Sequence, residues 1–358
     1  MYNFLRRILL VGLGIGVTLV AMSWPLELVM RQRDVHFRLY QAFSSPAVKP
    51  QVLVLGDSRA ALDVVGSMFS PAVFNWAEVG EGLRQTLLKA DYALRTKPSL
   101  QWIVLPIDDY ILSEYRSANR GFRKQMGYAD WGLLDHYFAT TRRHILRNYI
   151  AYYLPVLDHE SRLSFRSDLL QDVEDRLGTP VDESYTVLTD CLDLKFRHEF
   201  DWAGSSSEAR KDRVAFRLKA QYPEDLIVPQ MVEILERIVR TANASGVQVV
   251  GVRYPMSNEY IEAAAVRDVS GVRAVFERIP FAARLDYTAM FAGDQAEFND
   301  MDHLRHGGAR AFTNVLQKDL AAITGLPMQG ESCPSRTKTG LLVPQIAFFL
   351  GEKVRLPL

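Results

Sequence analysis

Five short Val- and Leu-rich runs, separated by stretches of helical periodicity, constrain this chain more than any other feature. Gln51-Val52-Leu53-Val54-Leu55 is uncharged, almost wholly apolar and ends at Gly56. Consecutive apolar positions suit a parallel strand buried on both faces. Residues 72–76, 101–105, 247–252 and 282–286 read as four further strands. Between them lie amphipathic helices. In 82–96, Leu83, Leu87, Ala90 and Leu94 share one face, and Pro98 ends it. In 229–244, Met231, Ile234, Leu235, Ile238, Val239 and Ala242 form a stripe, with Pro229 in the first turn and Gly246 past the end. A last helix over 308–324 carries Phe312, Val315, Leu316 and Ile323 and stops at Gly325. Strand and helix in repetition predict an α/β fold of three layers, α/β/α. Its sheet is flavodoxin-like, five-stranded and mostly parallel. Ligands in such sheets bind beyond the carboxyl ends of the strands.

Residues 8–24 (ILLVGLGIGVTLVAMSW) carry no charge and follow Arg6 and Arg7. That run is at the short end of a bilayer span, and Leu26, Leu28, Val29 and Met30 extend it past Glu27. The favoured reading is an uncleaved signal anchor over 1–30, one transmembrane helix with the rest exported. A cleavable signal peptide with Ala21-Met22-Ser23 as its small-residue site competes with it. A buried helix of a soluble protein is the third reading. Arg31, Arg33 and Arg38 lie just beyond the span, so flanking charge does not set the orientation alone. The expected organisation is then a linker over 31–50, a domain over 51–325 and a tail over 326–358. The domain has a large insert, 109–225, between strands 3 and 4, with a polar break at Gly204-Ser205-Ser206-Ser207-Glu208. The tail's apolar patch, 341–350, is too short and Pro-broken to span a membrane and is expected to pack on the body or a partner.

Forty-two Lys and Arg balance forty-two Asp and Glu, which argues against a broad nucleic-acid surface, since phosphate binding needs a basic excess. Two cysteines, Cys191 and Cys333, exclude a disulfide-rich scaffold and a Cys-based zinc cluster. In an oxidising compartment they could bridge insert and tail.

The first strand ends in Gly56-Asp57-Ser58-Arg59, where a strand turns into a helix. Backbone N–H groups at such a turn can hold an anion or an acyl-transfer oxyanion. Asp and Ser are also ordinary helix caps, so this segment alone supports capping equally well. Just before the last helix stands Asp300-Met301-Asp302-His303-Leu304-Arg305-His306-Gly307-Gly308-Ala309. An Asp three residues before a His can orient its imidazole, and that His can take a proton from a serine. In a doubly wound sheet the loops after the first and last strands reach the same edge.

Gly56-Asp57-Ser58 after the first strand together with Asp300-x-x-His303 before the last helix resembles the SGNH, or GDSL-like, hydrolase superfamily. The further pattern His303-Leu304, Gly308-Ala309 and Phe312 is similar to its membrane-anchored, exported branch, which O-acylates cell-surface polymers and includes the alginate acetylation proteins and DltD. The resemblance covers 51–106 and 229–325, not the insert or tail. It implies Ser58 as nucleophile, His303 as general base and Asp300 as its orienter, with the backbone N–H groups of Ser58 and Gly80 forming the oxyanion hole. The family's asparagine after the third strand is replaced by Pro106-Ile107-Asp108-Asp109, so the third oxyanion donor is missing or supplied differently. Arg59 is a candidate substitute cation, or else an ion-pair partner or surface residue. Arg59 and Asp108 are held as candidate substrate-binding residues, although an ionised Asp108 would repel an oxyanion.

Asp302 is an alternative orienter or a turn residue, and His306 a site residue or a helix N-terminal one. His36, His136, His144, His159 and His198 show no metal-ligand spacing, and neither metal nor cofactor is assigned. The insert's Tyr128, Trp131, His136, Tyr137, Phe138, Tyr149, Tyr152 and Tyr153 suit sugar stacking or simply a core. The resemblance implies an exported O-acyltransferase, acting with acetyl on a polysaccharide or glycan. It also implies a multi-spanning membrane-bound O-acyltransferase as partner, to deliver acyl groups outside the cytoplasm. A carbohydrate esterase with the same triad, and an inactive structural or glycan-binding component of an export complex, are the alternatives.

Overall fold

The computed structural model describes residues 6–7, 10–21, 23, 35–113, 115, 122–138, 142–154, 186–189, 192–195 and 201–330. Five strands form one sheet: β1 (Val52–Val54), β2 (Val73–Asn75), β3 (Trp102–Pro106), β6 (Gln248–Arg253) and β7 (Ala283–Asp286). Their spatial order is β2-β1-β3-β6-β7, and every pairing is parallel. Each strand lies within about a residue of the run that predicted it. The insert contributes an antiparallel hairpin, β4 (Thr186–Thr189) with β5 (Leu192–Lys195).

Side chains alternate across the sheet, as the period of two requires. Leu53, Ile103, Leu105 and Val249 enter one apolar cluster, and Val52, Val54, Val104, Val250 and Val252 the other. The first cluster is covered by α1 (Val35–Ser44), α3 (Leu83–Thr96) and α7 (Pro229–Ala244). The second is covered by α2 (Ser58–Asp63), α6 (Ser207–Gln221) and α10 (His306–Thr324). The result is a three-layer α/β/α arrangement. The insert adds α4 (Trp131–Tyr137) and α5 (Arg142–Tyr153), while α8 (Asn258–Ala264) and α9 (Ser270–Arg278) lie between β6 and β7.

Several expectations change. The 31–50 linker contains α1, which buries His36, Leu39 and Phe43 against the body. Arg and Asp flank that stretch, and three buried positions spaced i, i+3 and i+7 are a thin signal. Residues 10–21 are helical. Leu10, Val11, Leu13, Ile15, Val17 and Val20 are each at least half exposed, so this segment is not a buried core helix. No helix among the described residues is long and apolar enough to cross a membrane, and residues 1–5, 8, 9, 22 and 24–30 of the expected anchor lie outside the description. Beyond α10, the chain runs along the turn near Phe69, with Ser70 N–H donating to Met328 O and Gly330 N–H to Met68 O. Cys191, Cys333 and the tail's apolar patch lie outside the described residues.

Candidate active site

The chain leaves β1 through Gly56, whose φ of 140° disfavours any side chain. A Cβ there would also meet Pro106 Cδ at 2.9 Å and Ala60 Cβ at 3.2 Å. The close approach of β3's end therefore selects glycine. Asp57 then caps α2, its Oδ1 accepting Arg59 N–H at 3.0 Å, and Ser58 becomes the first helical residue. At that position a backbone N–H falls outside the intrahelical ladder and points out of the helix end. The helix is one and a half turns long and is held from outside. Asn75, at the end of β2, donates through Nδ2 to Ala60 O at 2.9 Å and Val64 O at 3.1 Å. Thr313 of α10 accepts Val65 N–H at 3.0 Å and donates to Asp63 O at 3.3 Å.

The loop before α10 folds on itself. Asn299 N–H donates to His303 O at 2.9 Å, Asp302 N–H to Asp300 Oδ1 at 3.0 Å, and Arg305 N–H to Glu297 O at 2.8 Å. Its link to α2 is Asp63, whose Oδ1 accepts Leu304 N–H at 2.9 Å. The two loops thus meet over a sequence gap of 245 residues. His303 Nε2 lies 2.7 Å from Ser58 Oγ, and His303 Nδ1 lies 2.8 and 2.9 Å from the two carboxylate oxygens of Asp300. A carboxylate only accepts, so Nδ1 carries the hydrogen, and a neutral imidazole presents Nε2 to the serine hydroxyl. His303 is 6% exposed, and Ser58 is more open than its neighbours Asp57 and Arg59.

Burial alone would lower the His303 pKa. The charges of Asp300 and Asp302, the Asp300 hydrogen bond and Asp63 outweigh it, and the imidazole is pushed up to about 9. Burial would raise Asp300, but His303, Asp302 N–H and Arg217 hold it well below the usual carboxylate range. Asp302 lies 3.4 Å from Nδ1, farther than Asp300, and is tied instead to α6: Gln221 Nε2 donates to it at 3.1 Å and Arg217 lies at 3.2 Å. The last helix of the insert therefore braces the histidine loop. His306 is the exposed first residue of α10, as its helix-terminal reading has it.

Arg59 and Asp108 do not face an open substrate space. Arg59 is 1% exposed, with Nη2 2.9 Å from Asp57 Oδ2 and Nη1 2.7 Å from Asp108 Oδ2. Its guanidinium also lies over the rings of Tyr110 (4.9 Å) and Tyr254 (5.8 Å). The ion-pair reading of Arg59 is the one the structure shows. Asp108 is pushed up to about 6 by burial, against the pull of Arg59.

Gly80 adopts φ of 82° in the loop after β2. That loop is fixed where Glu78 N–H donates to Gly56 O at 3.1 Å. It is fixed again by a buried charge cluster that the sequence reading missed. Lys89 Nζ donates to Trp76 O and Glu78 Oε1, and lies 2.7 Å from Glu81 Oε1. His36 Nδ1 sits 2.6 Å from Glu78 Oε2, and Nε2 faces Lys124 O at 2.6 Å. Each ring nitrogen of His36 thus faces an acceptor. Burial would raise Glu78, but Lys89 and His36 hold it down to about 2; burial pushes Glu81 up. The available signal was Lys89 on the apolar face of α3, beside Thr86 and Ala90.

Two described groups bring three metal-type ligand atoms within 4.8 Å of one another: His36–Glu78–Glu81 and Asp300–Asp302–His303. In each, Lys89 or Arg217 already supplies the positive charge that a metal would bring. Tyr128, Tyr137 and Phe138 of the insert's aromatic set are core, while Trp131, Tyr149 and Tyr153 adjoin one another nearer the surface.

No family model matches the chain, and no curated protein matches it. Among solved structures, a protein assigned as a platelet activating factor from Streptococcus pneumonia is similar at 11% identity, over 84% of this chain and 98% of that one, with a TM-score of 0.35. Superposition that loose maps no residue of one chain onto the other.

Proposed function

We propose that this chain is a serine acyltransferase of the SGNH-like kind that moves an acetyl or similar acyl group onto a hydroxyl of an extracytoplasmic glycan. The observation that carries the reading is the Ser58–His303–Asp300 row, with Nε2 2.7 Å from Oγ and Nδ1 held by a carboxylate. Ser58 Oγ attacks the acyl carbonyl while His303 Nε2 takes the hydroxyl proton, and that proton passes to the leaving oxygen as the donor ester bond breaks. Asp300 stabilises the imidazolium formed in between. The carbonyl oxygen, negative in the tetrahedral intermediate, is served by the N–H groups of Ser58 and Gly80. In the second half a sugar hydroxyl attacks the acyl-serine, His303 takes its proton, and the serine leaves with that proton restored.

Support for export and anchoring comes from the uncharged run 8–24. In this reading the catalytic domain lies on the extracytoplasmic side of the cytoplasmic membrane. A multi-spanning membrane-bound O-acyltransferase is the proposed source of acyl groups.

The test is turnover of p-nitrophenyl acetate by the full chain, with and without oligosaccharide. Ser58→Ala is expected to lower the rate by at least about a thousandfold with its melting temperature unchanged. Acceleration by oligosaccharide identifies transfer; equal rates in water alone identify an esterase. Full activity in Ser58→Ala contradicts the nucleophile assignment.

A further inference from the structure

Asp63 is a buried acid that the proposed reaction does not use. It closes α2, the helix that Ser58 opens, and its side chain is shut off from solvent. Burying a carboxyl is costly unless its oxygens are hydrogen-bonded. Here the bonding is one-sided. Oδ1 accepts Leu304 N–H at 2.9 Å, and Oδ2 has no hydrogen-bonding partner among the described residues. The donor belongs to the residue that follows His303.

The histidine loop is held in other ways as well. Asn299 N–H and Arg305 N–H close it on itself, and Ser257 N–H donates to Met301 O at 3.0 Å. Gln221 and Arg217 of α6 hold Asp302. None of these ties reaches α2. The Asp63 contact joins the loop directly to the helix that carries the nucleophile.

Two contacts therefore clamp loop to helix. Ser58 Oγ meets His303 Nε2 at one end of α2, and Asp63 Oδ1 meets Leu304 N–H at the other. The rise from residue 58 to residue 63 of an α-helix is about 7.5 Å. That gauge is rigid because α2 is gripped from outside: Asn75 Nδ2 donates to Ala60 O, and Thr313 Oγ1 to Asp63 O. Docking Leu304 at the far end fixes where the imidazole of the preceding residue arrives at the near end.

The contact needs an acceptor, not a charge. Burial pushes the Asp63 carboxyl up to about 8, against the pull of His303, Leu304 N–H and Arg59. A protonated carboxyl still accepts through its carbonyl oxygen, and an asparagine amide does the same.

We infer that Asp63 is a positioning residue for the base: by accepting Leu304 N–H it docks the histidine loop on the nucleophile's own helix and sets the approach of His303 Nε2 to Ser58 Oγ. This role rests on the acyl-transfer reading. The test is single-turnover acylation of the full chain by p-nitrophenyl acetate, with residue-resolved hydrogen exchange at Leu304 and a melting curve for each variant. A misplacement of about 1 Å costs a reaction of this kind about a hundredfold. Asp63→Ala is therefore expected to acylate about a hundredfold more slowly, with ester affinity within about twofold of wild type. Its Leu304 amide should exchange at least about tenfold faster. Asp63→Asn should restore both the rate, to within about threefold, and the protection. Asp63→Leu, a branched side chain of similar size without an acceptor, replaces Asp63→Ala if that variant does not fold. The inference is overturned if a folded Ala or Leu variant acylates at the wild-type rate, if Asp63→Asn is as slow as they are, or if Leu304 is unprotected in the wild-type chain. Phosphonate labelling of Ser58 separates the two readings. A labelled wild-type chain whose Asp63→Ala variant labels equally fast refutes the role of Asp63 alone. An unlabelled wild-type chain refutes the acyl reading, and this role falls with it.

Discussion

In the proposed reaction the general base, His303, must be free of its proton before it can take one from Ser58. His303 is pushed up to about 9 by the carboxylates around it, so at neutral pH most of the population holds an imidazolium. The acylation rate is therefore expected to rise about tenfold per pH unit from pH 7 and to level off near 9. Stopped-flow acylation by a chromogenic ester across pH 6–10 measures it. A plateau beginning near the ordinary imidazole value of about 6.5 would contradict the electrostatics described. The contact of Ser58, His303 and Asp300 could be anticipated from the sequence because the proposed chemistry calls for those three residue types, and the Asp-x-x-His spacing already sits on one loop. Asp63, Asn75, Gln221 and Arg217 were not. They act by holding backbone or carboxylates from distant elements, and a lone Asp at the end of a short helix is indistinguishable from a solvated one until the fold brings Leu304 N–H to it.

Among the elements, α1 shows most clearly where local pattern fails. Its sequence reads as a charged connection, yet Phe43 is fully buried, with its ring stacked 4.3 Å from that of Trp76. Its His36 grips Glu78 in the loop that carries Gly80. The strands and the long helices were legible because their apolar periods are strong, and α7 matches its predicted 229–244. α8 and α9 were not, being too short, at seven and nine residues, to repeat an apolar stripe. Phe43→Ala is expected to cost about 3–5 kcal/mol, as for a core aromatic, measured by urea denaturation. A cost under about 0.5 kcal/mol would return the segment to the status of a linker.

For the whole molecule, the sheet order places β1 and β3 on either side of the point where the chain reverses its direction of winding. Ser58 follows one of these strands and Asp108 the other, and the Arg59–Asp108 pair joins the two loops at one edge. The proposal also puts residues 1–30 in a bilayer. The full chain should then sediment with membranes, resist carbonate extraction and dissolve in detergent, whereas recovery in the soluble fraction would contradict an anchor. The central claim, a serine activated by a histidine brought from 245 residues away, is tested most directly by intact-mass measurement after exposure to a p-nitrophenyl alkylphosphonate. The wild-type chain is expected to gain one adduct, mapped to Ser58, with none on Ser58→Ala and a rate at least about a hundredfold lower on His303→Ala. An unlabelled wild-type chain, or an adduct that survives in Ser58→Ala, would contradict it.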